Sequence, residues 1–202
     1  LEIESTNVLD QWILARLYQL LSEIENGMEV YELDKAVRPI DLFVDDLSTW
    51  YLRRSRDRLK DGDDEAVVTL YTVLQTLSQM IAPFMPFVSE YIWLGLKSEN
   101  STESVHLSAW PVKGSIDEKL IEEMVSVREI VTIGLKERQK VNIPVRQPLS
   151  KIKIKNENIK NEYQEIIKDE LNIKEICIEK DIENDIKLDI EITPELKKEG
   201  MY

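Results

Sequence analysis

Leu9, Ile13, Leu17, Leu20, Ile24 and Met28 follow one another at steps of three or four residues. That spacing draws a continuous apolar stripe down one side of an α-helix. A stripe this long must be covered by other elements, so it commits the chain to a helical bundle. Asn7 or Thr6 can cap this first helix, Asp10 suits its opening turn, and Asn26-Gly27 can end it or loosen its last turn. A second helix is expected from about Asp34, with Leu33, Val37, Ile40, Phe43 or Val44, Leu47 and Tyr51 in register; it begins near Pro39 or kinks there. "DGDDE" (61–65) reads as a turn into a third helix from about Asp64 to Ile81, which "APFMPF" breaks. A fourth runs from about Pro86 to Lys97, and a fifth over 116–140 with Leu120, Met124, Val127, Ile130 or Val131, and Leu135 inward.

The texture changes after "VNIPVRQPLS". "KIKIK" (151–155) alternates like an exposed strand, "ENIKNEYQEIIKDEL" reads as a short amphipathic helix, and "IKEICIE" and "DIKLDIEI" as further strands. The fold class expected is therefore mainly α: a bundle of about five helices over 1–145, then a small α/β (α+β) appendage over 146–202. The chain starts at Leu1 without a methionine and stops at Tyr202, which suggests a fragment of a longer protein.

The single cysteine, Cys177, excludes an internal disulfide and any multi-cysteine zinc site, and its strand-like surroundings suggest a buried, inert thiol. No stretch has the length or apolarity of a membrane span or signal peptide, so a reducing cytoplasm fits best. No Gly-rich phosphate loop, GxSxG or HExxH is present. His106, the only histidine, reads as a packing residue. Independent catalysis is not expected.

Charge is distributed unevenly. The chain carries a net −13, yet residues 48–60, "STWYLRRSRDRLK", sum to +4 (five basic, one acidic), which leaves −17 for the remainder. Residues 136–155 form a second island of +6 (seven basic, one acidic). At about 100° per helical residue, Tyr51, Arg54 and Arg58 fall within about 40° of the Leu47 direction, while Arg53, Arg56 and Lys60 lie opposite and Trp50 lies beside the stripe. Two readings stay open on composition alone. The cations either pair carboxylates and decorate a helix end, or they join Trp50 in a phosphate-binding and base-stacking surface.

The motifs "LDQWILARLYQLLSEI" and "YELDKAVRPIDLFVDDLSTWYLRRSRDRLK" resemble the anticodon-binding helical domain of class I aminoacyl-tRNA synthetases for branched aliphatic amino acids. Gln11 and Thr49 depart from the family's arginine and asparagine. "LYTVLQTLSQMIAPFMPFVSEYIW" resembles the family's next two helices and "SVHLSAWP" its connecting segment, while "VRQPLS" favours the isoleucyl members over the valyl, leucyl and methionyl ones. The resemblance implies that the parent protein joins isoleucine to its tRNA with ATP and Mg²⁺, through an upstream catalytic domain absent from this chain. It implies no catalytic residue, cofactor or metal here, an isoleucine-specific tRNA as partner, no membrane, and a cytoplasmic monomer. RNA-binding candidates under this resemblance are Arg16, Trp50, Arg53, Arg54, Arg56, Arg58, Lys60, Arg138, Arg146 and Gln147. A valyl relative, or a helical scaffold that docks proteins through exposed aromatics, are the alternatives.

Overall fold

The computed structural model describes residues 5–99, 101–155, 159–179 and 186–200. The chain divides into two compact units, Leu1–Ile121 and Glu122–Tyr202. That division falls inside a helix, upstream of the boundary near 145 that the change in sequence texture suggests. The reason is local: the later part of that helix buries its apolar stripe within the second unit.

In the first unit, α1 (Val8–Glu29) is capped by Asn7, whose side chain accepts from the Leu9 amide. Its stripe is buried from Leu9 to Ile24, with Trp12, Leu14 and Leu21 widening it, while Met28 is exposed. The helix runs through Gly27 and does not end there. A Cβ on Gly27 would stand 2.7 Å from the Ala36 nitrogen, so glycine is what lets the next helix cross so closely. Alanine should favour the helix by about 1 kcal/mol. The clash with backbone outweighs that. Gly27→Ala is therefore expected to destabilise the chain by roughly 1–2 kcal/mol, read as a lower denaturant midpoint; a raised midpoint would contradict the crossing.

The second helix begins at α2 (Leu33–Asp45), with Pro39 inside it, and continues as a π-helical turn over Asp46–Leu52 into α3 (Arg53–Asp61). Its buried side is Ala36, Ile40, Phe43, Leu47, Tyr51 and Ser55, while Leu33, Val37 and Val44 are exposed. Phe43, Leu47, Tyr51 and Ser55 stand four apart, and each such step gains about 40° in an α-helix. The wider π turn, which contains the step from Leu47 to Tyr51, offsets part of that drift. Gly62, with φ at 77°, ends α3 in the left-handed region, and Asp63 caps α4 (Asp64–Ile81) by accepting from the Ala66 amide. Beyond it lies α5 (Pro86–Leu96). Its Trp93 packs with Ala82 and Val105. His106 is exposed; its neighbour Val105 does the packing expected of it.

α6 (Glu118–Lys140) leads into the second unit. There β1 (Leu149–Ile154), α7 (Asn161–Leu171) and β2 (Ile173–Ile178) form a parallel crossover, and β3 (Ile186–Leu188) pairs antiparallel to β1. "KIKIK" is thus mostly the central strand rather than an exposed one, with Ile152 and Ile154 buried. Tyr163, Ile166, Ile167 and Leu171 of α7 are buried. Tyr163 donates to Glu123 at 2.6 Å, and Gly134 of α6 meets Leu171 side-chain atoms. Cys177 is half-buried, not enclosed. α8 (Pro194–Glu199) starts on a Thr193 cap. The expected class, a mainly helical chain with a small α/β appendage, is the one observed.

Candidate nucleic-acid interface

The basic stretch 53–60 lies on α3, and the core beneath it decides which cations face water. Asp10 of α1 is fully buried. It accepts from the Ser5 hydroxyl at 2.8 Å, the Tyr51 hydroxyl at 3.0 Å, and both terminal nitrogens of Arg58 at 2.9 Å. Arg58 also donates from Nε to Asp63 at 3.1 Å. Hydrogen bonds to Asp10 and then Asp63 raise the Arg58 pKa above its usual value. Burial first, and the Asp10 charge second, push the Tyr51 phenol up. Arg58 is therefore engaged inside the fold, as an inward cation on the core line can be. Arg54 is half-buried, as Arg58 is, and Ser55 between them in the chain is fully buried.

Arg53, Arg56 and Lys60 are exposed, as the helical wheel predicts. Arg53 donates from Nε to the Thr49 carbonyl at 2.8 Å, and its guanidinium carbon lies 6.0 Å from the Trp50 ring centroid. Trp50 is half-buried. Ser48 and Thr49 donate to the Val44 and Asp45 carbonyls at 2.6 and 2.8 Å, supplying partners where the π turn disturbs the helical ladder. Arg16 is turned to the fold: its Nε donates to buried Asp46 at 2.9 Å.

The second-island candidates separate in the same way. Arg138 is 1% exposed, and its guanidinium donates to the carbonyls of Pro144, Gln147, Leu171 and Asn172. Two of those carbonyls end α7, where a cation is favoured by the helix dipole. Burial pushes its pKa down. Gln147 donates to the Leu196 carbonyl at 2.7 Å and to Pro148 at 3.1 Å. Both side chains face the interior of the second unit, and the expectation of RNA contact from them gives way to that packing. Arg146 between them is exposed.

A cleft of about 820 Å³ in the first unit is lined by Tyr18, Tyr71 and Trp110 with Asp64 and Glu65, and none of the described residues lining it is basic. Its charge is wrong for phosphate. Among the described residues no cluster of histidine, cysteine and carboxylates could hold a metal, and no helix is long and apolar enough to cross a membrane.

The carboxylates around Arg58 also set an acid limit. The Arg58 hydrogen bond, then the Ala66 amide, hold the Asp63 carboxyl below its usual range; the Ser5 hydroxyl and Thr6 amide do so for Glu65. A lowered folded pKa means the unfolded chain binds more protons, so the stabilisation exists above about pH 4 and is lost as pH falls through the folded values. Melting temperature is expected to drop below about pH 4, and Asp63→Asn with Glu65→Gln should flatten that drop. An equally steep drop in the double variant would show that other groups control it.

Exposed cations at a helix end beside a half-buried tryptophan form the class of surface that can receive nucleic acid. Residues 10–154 match the family described as the anticodon-binding domain of tRNA ligase, and the chain belongs to that family. It is 41% identical over 188 residues to isoleucine–tRNA ligase of Clostridium tetani, covering 88% of this chain and 18% of that protein. Isoleucine–tRNA ligase of Clostridium acetobutylicum is 42% identical over 182 residues (85% and 18%), and that of Streptomyces avermitilis 37% over 174 residues (82% and 17%). The chain thus spans less than a fifth of the length of these relatives.

Proposed function

We propose that this chain is the anticodon-binding region of an isoleucine–tRNA ligase and that its α3 face receives the anticodon stem-loop. The observation that carries this is the sorting of one basic stretch. Arg58 is tied inward, while Arg53, Arg56 and Lys60 stay exposed beside Trp50, on a chain otherwise strongly acidic. Exposed cations would fix phosphates, and the Trp50 ring, flanked by Arg53, would offer a stacking face for an unpaired base. Arg54 stands at the edge of this face, and Arg146 is a separate exposed candidate in the second unit. The family and the relatives' names support the tRNA partner and the isoleucine assignment.

In this reading the chain positions tRNA and performs no ligation. ATP, Mg²⁺ and amino-acid activation belong to an upstream catalytic domain of the same polypeptide, acting as a cytoplasmic monomer. The confined cations in an acidic body would favour one RNA orientation over others. The test is binding of isoleucine tRNA to the chain across a salt series. Contact with four to six phosphates predicts a log–log slope of about −3 to −5. A flat salt dependence would defeat the reading.

The protein-docking alternative keeps one observation: α5 exposes Phe87, Val88, Tyr91 and Leu94. Docking through such a face would be insensitive to salt.

A further inference from the structure

The turn that carries Trp50 is anchored to α1 at two points, both on its inner side. At its start Asp46 accepts from Arg16, and near its end Tyr51 donates to Asp10. The partners run in opposite order along α1 and the turn, so the pair acts as an antiparallel clamp. Asp10 is itself fixed by the bidentate contact from Arg58, one helical stretch later.

A π turn holds one residue more than the α-helix would place there. If the turn relaxed to α-register, everything C-terminal to it would rotate by about 100° relative to α2. At 100° per residue that register brings Arg54 rather than Ser55 onto the Leu47 line, so the fully buried Ser55 is what marks the π-register.

We propose that Asp10 is a positioning residue for the RNA face. Through its hydrogen bonds to Tyr51 and Arg58 it fixes the helical stretch that carries Trp50 and Arg53, and so where that pair stands on the surface. This rests on reading that face as the RNA contact. Asp10 has no exposed surface, so any effect of its substitution on RNA must act through the residues it holds.

The experiment uses the 202-residue chain labelled with 5-fluorotryptophan, whose Trp12, Trp50, Trp93 and Trp110 give four fluorine resonances. Trp50→Phe assigns the relevant one. Asp10→Asn and Tyr51→Phe are compared with Val73→Ala, a buried change on α4 outside the network. Spectra are taken below the melting range of every variant. The Trp50 resonance is expected to shift or split in the first two and to stay put in the third. Affinity for isoleucine tRNA should fall about tenfold in the first two. The salt slope should stay unchanged, because every phosphate-binding cation is still present.

An unmoved Trp50 resonance in Asp10→Asn and Tyr51→Phe, or an equal shift in Val73→Ala, overturns the proposal. Should Asp10→Asn fail to fold, Tyr51→Phe decides, since it removes one hydroxyl and keeps the ring. If Arg53→Glu with Arg56→Glu leaves tRNA binding unchanged while the Trp50 shift persists, the RNA reading fails and only the positioning of Trp50 stands.

Discussion

Replacing Asp10 by alanine is expected to cost about 3–5 kcal/mol of folding stability, the range for removing one partner of a buried ion pair. The size reflects what the carboxylate satisfies. Three groups, the Ser5 hydroxyl, the Tyr51 hydroxyl and the Arg58 guanidinium, lose their shared acceptor at once. Asp63 keeps a hold on Arg58, which is partly open to water, so the loss should not exceed that range. A buried donor left without a partner adds its own desolvation cost. Denaturant unfolding of the chain measures the change; a loss below about 1 kcal/mol would mean the network is not what joins α1, α3 and α4. Adding Arg58→Met to Asp10→Ala should recover part of the loss, because the uncompensated cation is then gone.

The second large effect concerns RNA. Arg53→Glu combined with Arg56→Glu is expected to weaken binding of isoleucine tRNA by about 100-fold at low salt, roughly tenfold for each phosphate left without its cation. The salt slope should shrink by about 2, one for each such phosphate. Both side chains are exposed, so the fold should keep its stability within about 0.5 kcal/mol. Opposite behaviour is expected of Arg58→Glu. That change breaks the Asp10 pair and should lower stability first, with binding impaired only through the damaged fold. Unchanged tRNA affinity in the Arg53 and Arg56 double variant, with intact helical content, would move the RNA contact elsewhere.

Much of the architecture is legible from spacing. The Leu9 to Ile24 stripe, the Asp64 start and Ile81 end of α4, and the alternation in 149–154 each reflect a short-range regularity, so local sequence suffices. The helical wheel also sorts Arg53, Arg56 and Lys60 outward and Arg58 inward. It does not place Ser55 in the core, because a wheel drawn at 100° per residue does not contain a π turn.

Arg138 and Gln147 show the other kind of limit. A cation in a basic island reads as surface, and nothing nearby in the sequence announces that Leu171, Asn172 and Leu196 will bring their carbonyls to these two side chains. Asp10 is similar: an acidic residue in a first helical turn looks like an electrostatic aid to the helix, yet it is the acceptor for partners 41 and 48 positions away.

The sequence by itself determined the helices, their buried stripes, the small α/β appendage, the resemblance and the confinement of positive charge to two islands. Those depend on period, capping and composition, which act over a few residues. Only the tertiary structure decided that Arg16 and Arg138 are held inside, and which partner holds each inward arginine. That choice depends on whether a carboxylate or a ring of carbonyls from a distant segment arrives within hydrogen-bond reach. Burying a cation is tolerable only when such a partner is there.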